Sequence, residues 1–107
     1  MQTVIVPVDF SENSLKAARY ATKLLTGHYG VNMILHHVYE KASQASEAAE
    51  RLESLKAELM EIGVVKITTL SEEGSDFIVE LDKLARHQQA DLIIMGITGR
   101  TAIGQTF

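Results

Sequence analysis

Hydrophobic residues in this chain follow two rhythms that take turns. Short, nearly unbroken apolar runs rich in β-branched residues occur at Thr3–Val8, Asn32–Tyr39, Val64–Leu70 and Asp91–Met95. Runs of this kind suit strands buried on both faces. Between them, apolar residues recur every three or four positions, as on one side of a helix. Ser11 is placed to cap a first helix over residues 12–26, with Leu15, Ala18, Ala21 or Thr22, and Leu25 as its stripe. Gly27 and Gly30 bracket its end. A second helix is predicted from Ala45 to Ile62, with Ala45, Ala48, Leu52, Leu55, Leu59 and Ile62 inward and Gly63 as the residue past its end. A third, capped by Ser75 or Asp76, runs to about Gln88 with Ile78, Leu81, Leu84 and Ala85 buried. The segment from Gly96 to Gly104 follows the fourth strand as a loop.

Strand and helix alternate throughout, which predicts one α/β domain over residues 1–107 with an open parallel sheet sandwiched by helices. Sheets of this class bind ligands beyond the carboxyl ends of their strands, where strand order reverses. Here those ends are Val8-Asp9, Val38-Tyr39, Leu70-Ser71 and Met95-Gly96.

Composition narrows the function classes. The 107 residues are 46% hydrophobic, contain no Cys and carry a formal charge of −4. The lack of Cys excludes disulfide scaffolds, thiolate metal sites and a thiol nucleophile. An acidic chain without a basic stripe argues against a nucleic-acid partner. No apolar run reaches the ~18–20 residues that span a bilayer, and the N-terminus lacks a basic leader. The expectation is a cytoplasmic protein with neither membrane nor nucleic-acid partners.

Two features carry candidate chemistry. Asp9, between the first strand and the first helix, reads equally as a turn-forming aspartate or as a carboxylate aimed at ribose hydroxyls or a metal. Gly96-x-x-Gly99 followed by Arg100 offers close backbone approach, free amides for phosphate oxygens and a fork-shaped cation. Both stand at the same sheet edge, and together they suggest a nucleotide, ribose near Asp9 and phosphates near Gly96 to Arg100. His36 and His37 are neighbours on a strand and point to opposite faces, so they do not chelate one metal; packing is the simpler account. His28 and His87 fall near helix ends, and the acidic side of the second helix is a solvated face. No Gly-x-Gly-x-x-Gly or Walker motif occurs, and the carboxylates of a response-regulator receiver are missing. No metal site and no catalytic residue is assigned.

Val6-Pro7-Val8-Asp9-Phe10-Ser11, His37-Val38-Tyr39 and Ala90-Asp91-Leu92-Ile93-Ile94-Met95-Gly96-x-x-Gly99-Arg100-Thr101 resemble the universal stress protein family, in order along the whole chain. The resemblance implies a flavodoxin-like or adenine-nucleotide-hydrolase-like sandwich and a homodimer in the complete chain. It also implies an adenosine pocket of Pro7, Val8 and Asp9, with Val38 against the adenine. Met95, Gly96 and Gly99 would line the phosphate side, with Arg100 beside them. The expected ligand is ATP, with Mg2+ as its companion ion, or AMP, bound by a stress-response sensor or switch. The alternatives are a non-nucleotide dimeric interaction protein and, ranking last, a slow ATP hydrolase. The family's further Gly-Ser/Thr element falls past Phe107, and the domain is expected to lack the family's last strand and helix.

Overall fold

A computed structural model of the protein describes residues 2–97 and 100–104, with side chains through Gly96. The chain runs β1 (Gln2–Pro7), α1 (Glu12–Leu25), β2 (Val31–Tyr39), a short 3-10 turn (Ala42–Gln44), α2 (Ala45–Ile62), β3 (Lys66–Glu73), α3 (Phe77–His87), β4 (Leu92–Ile97) and β5 (Arg100–Gly104). The sheet order is β3-β2-β1-β4-β5. β3, β2, β1 and β4 are mutually parallel, as the alternation predicts.

Alternate side chains of β1 supply two cores. Val4, Val6 and Val8 pack with Ala18, Ala21 and Leu25 of α1 and Leu52, Leu55 and Leu59 of α2. Ile5 faces the other way and meets Ile34, Leu81, Leu84 and Ala85 beneath α3. Two helices therefore cover one face, and among the described residues α3 alone covers the other. Ser11 caps α1 by accepting from the Ser14 amide, and Asp76 caps α3 by accepting from Ile78 and Val79.

Several expectations need correction. β3 continues to Glu73, past the Leu70-Ser71 end read from the apolar run, because its pairing with β2 extends to Tyr39. Ile62, placed on the inward stripe, is exposed at the last residue of α2. The loop read after β4 is a hairpin: β5 pairs antiparallel with β4, Arg100 opposite Ile97. An antiparallel neighbour needs no crossover helix, so a short turn suffices. Ile78, read as buried, is 63% exposed, as are its neighbours Phe77 and Val79 to lesser degrees. Helical period tells which residues share a stripe, not how far the sheet extends beneath it, and the buried residues of α3 begin at Leu81. Gly63 ends α2, its amide donating to the Leu59 carbonyl at 3.2 Å, but its φ of −157° is not left-handed. A Cβ there would overlap the Thr26 hydroxyl, so the glycine serves the close packing of two helix ends.

Candidate functional site

The strand order reverses between β1 and β4, and there the sheet parts. The two strands pair only at Val4–Leu92 and Ile5–Ile93, although β1 continues to Pro7 and β4 to Ile97. Pro7 gives a reason. Successive amides along a strand point to opposite neighbours, and the Val8 amide donates to His36 of β2 at 2.7 Å. The amide of residue 7 would face β4, and proline has none. At the other end the same strands are fastened. The Thr3 amide donates to Asp91 Oδ2 at 2.8 Å, and the Asp91 amide returns a 2.8 Å bond to the Thr3 carbonyl.

The parted end is a cleft of about 280 Å³. Pro7, Val8 and Asp9 of β1 and its following turn, Val38 of β2, and Met95 and Gly96 of β4 line it. Six of the eight residues singled out in the sequence thus come together. Gly99 lies outside the described residues, and the backbone of Arg100 opens β5 instead of continuing a loop. Ser14, His37 and Phe77 also line the cleft. The sequence gives weak notice of them: a helix first turn, the neighbour of Val38, and the first residue after a cap.

Asp9 heads a hydrogen-bonded turn. Its Oδ1 accepts from the Ser11 amide at 2.9 Å, an Asx-turn. Its own amide donates to Ser14 Oγ at 3.3 Å, and the Ser14 hydroxyl donates to the Ser11 carbonyl at 3.0 Å. Partial burial pushes the carboxyl upward, but the bonds from Ser11 and Ser14 outweigh it and hold Asp9 below its ordinary value. The two sequence readings of Asp9 are therefore compatible: one oxygen shapes the turn while the residue lines the cleft.

Phe10 follows with φ 64°, a left-handed conformation that costs a bulky residue about 1–3 kcal/mol. Its ring lies 4.7 Å from that of His37, and the Arg51 guanidinium of α2 covers it at 4.0 Å. His37 Nδ1 sits 2.7 Å from the Val8 carbonyl, which only accepts, so Nδ1 carries the proton. His36, 1% exposed on the opposite face, places Nε2 at 2.6 Å from Glu72 Oε1, and its Nδ1 has no partner among the described residues. The two histidines divide between the faces as the strand period predicts. On the α2 side a second cleft, of about 330 Å³, shares Asp9, His37 and Val38 with the first and adds Phe10, Lys41 and Arg51.

Gly96 has a role that its loop reading did not contain. A Cβ on it would overlap the Asn13 carbonyl oxygen and stand 2.5 Å from that carbonyl carbon and 3.0 Å from the Ser14 nitrogen. The glycine lets the first turn of α1 sit against β4, which brings Ser14 and the Asp9 turn to the cleft. Among the described residues, no group of three or more His, Asp or Glu side chains could hold a metal ion, and no helix is long and apolar enough to cross a membrane.

Comparison with known proteins points in one direction. The family model for the universal stress protein family matches residues 1–107. A universal stress protein solved in complex with cAMP shares 25% identity at a TM-score of 0.72, covering 86% of this chain and 69% of its own. A universal stress protein from Archaeoglobus fulgidus aligns at TM-score 0.77 and 19% identity over 99% of this chain and 82% of its own. One from Arabidopsis thaliana with AMP bound aligns at 0.70 and 18% identity, over 92% and 78%. Among curated proteins nothing matches.

Proposed function

The chain belongs to the universal stress protein family, and on that premise we propose that the cleft between β1 and β4 binds an adenine nucleotide, ATP or AMP, as a sensor or switch. The observation that carries the reading is the meeting of Pro7, Val8, Asp9, Val38, Met95 and Gly96 where the strand order reverses. Relatives bound to cAMP and to AMP support it. In this reading Val38 lies against the base, Asp9 accepts from ribose hydroxyls, and Met95 and Gly96 line the phosphate side together with Gly99 and Arg100. At about 280 Å³, near the lower end of small-molecule pockets (~300–1,000 Å³), the cleft suits base and ribose and leaves a phosphate tail outside. Mg2+ would arrive on the ATP phosphates.

Turnover is not the purpose we assign. A carboxylate held below its ordinary value, as Asp9 is, is a poor general base near neutral pH. The cytoplasm is the proposed location. A dimeric interaction protein that takes no nucleotide is the second reading, favoured by the exposed Phe77, Ile78 and Val79 on the first turn of α3.

Calorimetric titration of adenosine, AMP, cAMP and Mg-ATP separates the two. Adenosine is expected to bind by itself, and any of these ligands at ~100 times its Kd should stabilise the fold by about 2.7 kcal/mol. If none of the four releases heat or raises the melting temperature of a folded sample, the nucleotide reading is wrong. The dimer reading then predicts self-association in sedimentation that Phe77→Ser weakens.

A further inference from the structure

Phe10 occupies a conformation that phenylalanine avoids, and no glycine, asparagine or aspartate stands there to ease it. Something outside the turn must hold it. Two contacts do. The ring leans on His37, whose own orientation is fixed by the Val8 carbonyl. Its exposed side is covered by the Arg51 guanidinium at 4.0 Å. Arg51 projects from α2, whose position is set independently by Leu52, Leu55 and Leu59 in the main core. Its guanidinium makes no ion pair among the described residues, although Glu47 and Glu50 share its helix. Arg19, by contrast, pairs with Glu58. Arg51 is thus committed to the aromatic face.

We propose that Arg51 is a positioning residue for the nucleotide cleft: by stacking on Phe10 it pins the Asp9-Phe10-Ser11 turn and so fixes the direction of the Asp9 carboxylate. The inference rests on the nucleotide reading for its binding arm only. Arg51 lines the second cleft, on the α2 side, and is not among the residues of the β1–β4 cleft. It acts on the ligand through Phe10 and Asp9. Ordered connection between α2 and the turn also explains why a bulky ring is worth its strain at position 10. A glycine there would relax the backbone and leave the turn without a handle.

The test has one arm with ligand and one without. Arg51→Met keeps the aliphatic stem and removes the stack; it should weaken adenosine binding about two- to five-fold, the range of an exposed cation–π contact. In an Asp9→Ala background the same substitution should cost nothing further, because the side chain it acts through is gone. A loss that persists undiminished in that background, or no loss in either, overturns the proposal. The second arm follows the Asp9 carboxyl by NMR titration without nucleotide. Loosening the turn weakens the bonds from Ser11 and Ser14, so the Asp9 midpoint should rise in Arg51→Met and also in Phe10→Leu, which keeps the arginine charge. A rise in Arg51→Met alone would mark a simple charge effect and overturn the proposal, as would an unchanged midpoint in both. Failure of adenosine to bind wild type would instead count against the nucleotide reading and leave this arm to decide.

Discussion

Gly96→Ala is expected to destabilise the protein by about 3 kcal/mol or more, at the upper end of what overpacking costs. The new methyl group would meet backbone: the Asn13 carbonyl and the Ser14 nitrogen in the first turn of α1. That turn is anchored by the Ser11 cap and by Ala17, Ala18 and Ala21 in the core, so it cannot yield alone. Gly63 makes the useful contrast. There the nearest obstacle is a side-chain hydroxyl, that of Thr26, which can rotate away at the loss of its bonds to Thr22 and Val64. Denaturant unfolding would measure the effect, with a drop in melting temperature of roughly 10 °C or more for a domain of this size. A Gly96→Ala protein within ~0.5 kcal/mol of wild type would show that α1 does not lie against β4 as described.

Asp9→Ala should weaken adenosine about 10- to 100-fold, the equivalent of one or two charge-assisted hydrogen bonds to ribose. Calorimetry reads this directly, and equal affinity for the two proteins would remove Asp9 from the site. Asp9→Asn should fall between them, since an amide oxygen can keep the Asx-turn without the charge. Stability supplies an independent check through pH. The Asp9 carboxyl is held low in the folded protein, so its contribution to stability is complete above the unfolded carboxyl value (~3.9). It disappears as pH falls through the lower folded value. The stability gap between wild type and Asp9→Ala should therefore narrow on acidification from about pH 4 downward. A gap that widens there would contradict the turn geometry. Asp9 is exposed, and a modest gap is expected even at neutral pH.

The sequence carried the local features of this architecture well. The span of α2 is the one its periodicity predicts, Ser11 caps α1, and the alternation of elements yields the parallel order that gathers Asp9, Val38 and Gly96 at one edge. Each of these is decided by residues close in sequence or by a general rule of chain topology. The stack of Arg51 on Phe10 and the bond from His37 to the Val8 carbonyl join distant segments. They depend on how a helix and a strand meet, and no spacing announces them. Gly96 has a role in the fold that its sequence context does not disclose, because a glycine in a sequence looks the same whether it admits a ligand or a helix. The strand at Arg100–Gly104 is not legible in the sequence, since its short run of Arg, Thr, Ala and Ile has no strong period and follows a Gly-x-x-Gly.

Among the described residues the two faces are unequally covered, which predicts that their layers differ in rigidity. α1 and α2 share one continuous core with β1, β2 and β3, whereas α3 is held by Leu81, Leu84 and Ala85 over a smaller one. Native proteins open in cooperative pieces, and those with few buried apolar contacts open most readily. In amide hydrogen exchange, α3 should lose protection through fluctuations that leave α1 and the strands closed. Equal protection in α1 and α3 would show instead that the two layers unfold as one. Phe77, at the start of that helix, also walls the cleft, so part of the pocket should open with the α3 layer while Asp9 and Val8 stay on the α1 side.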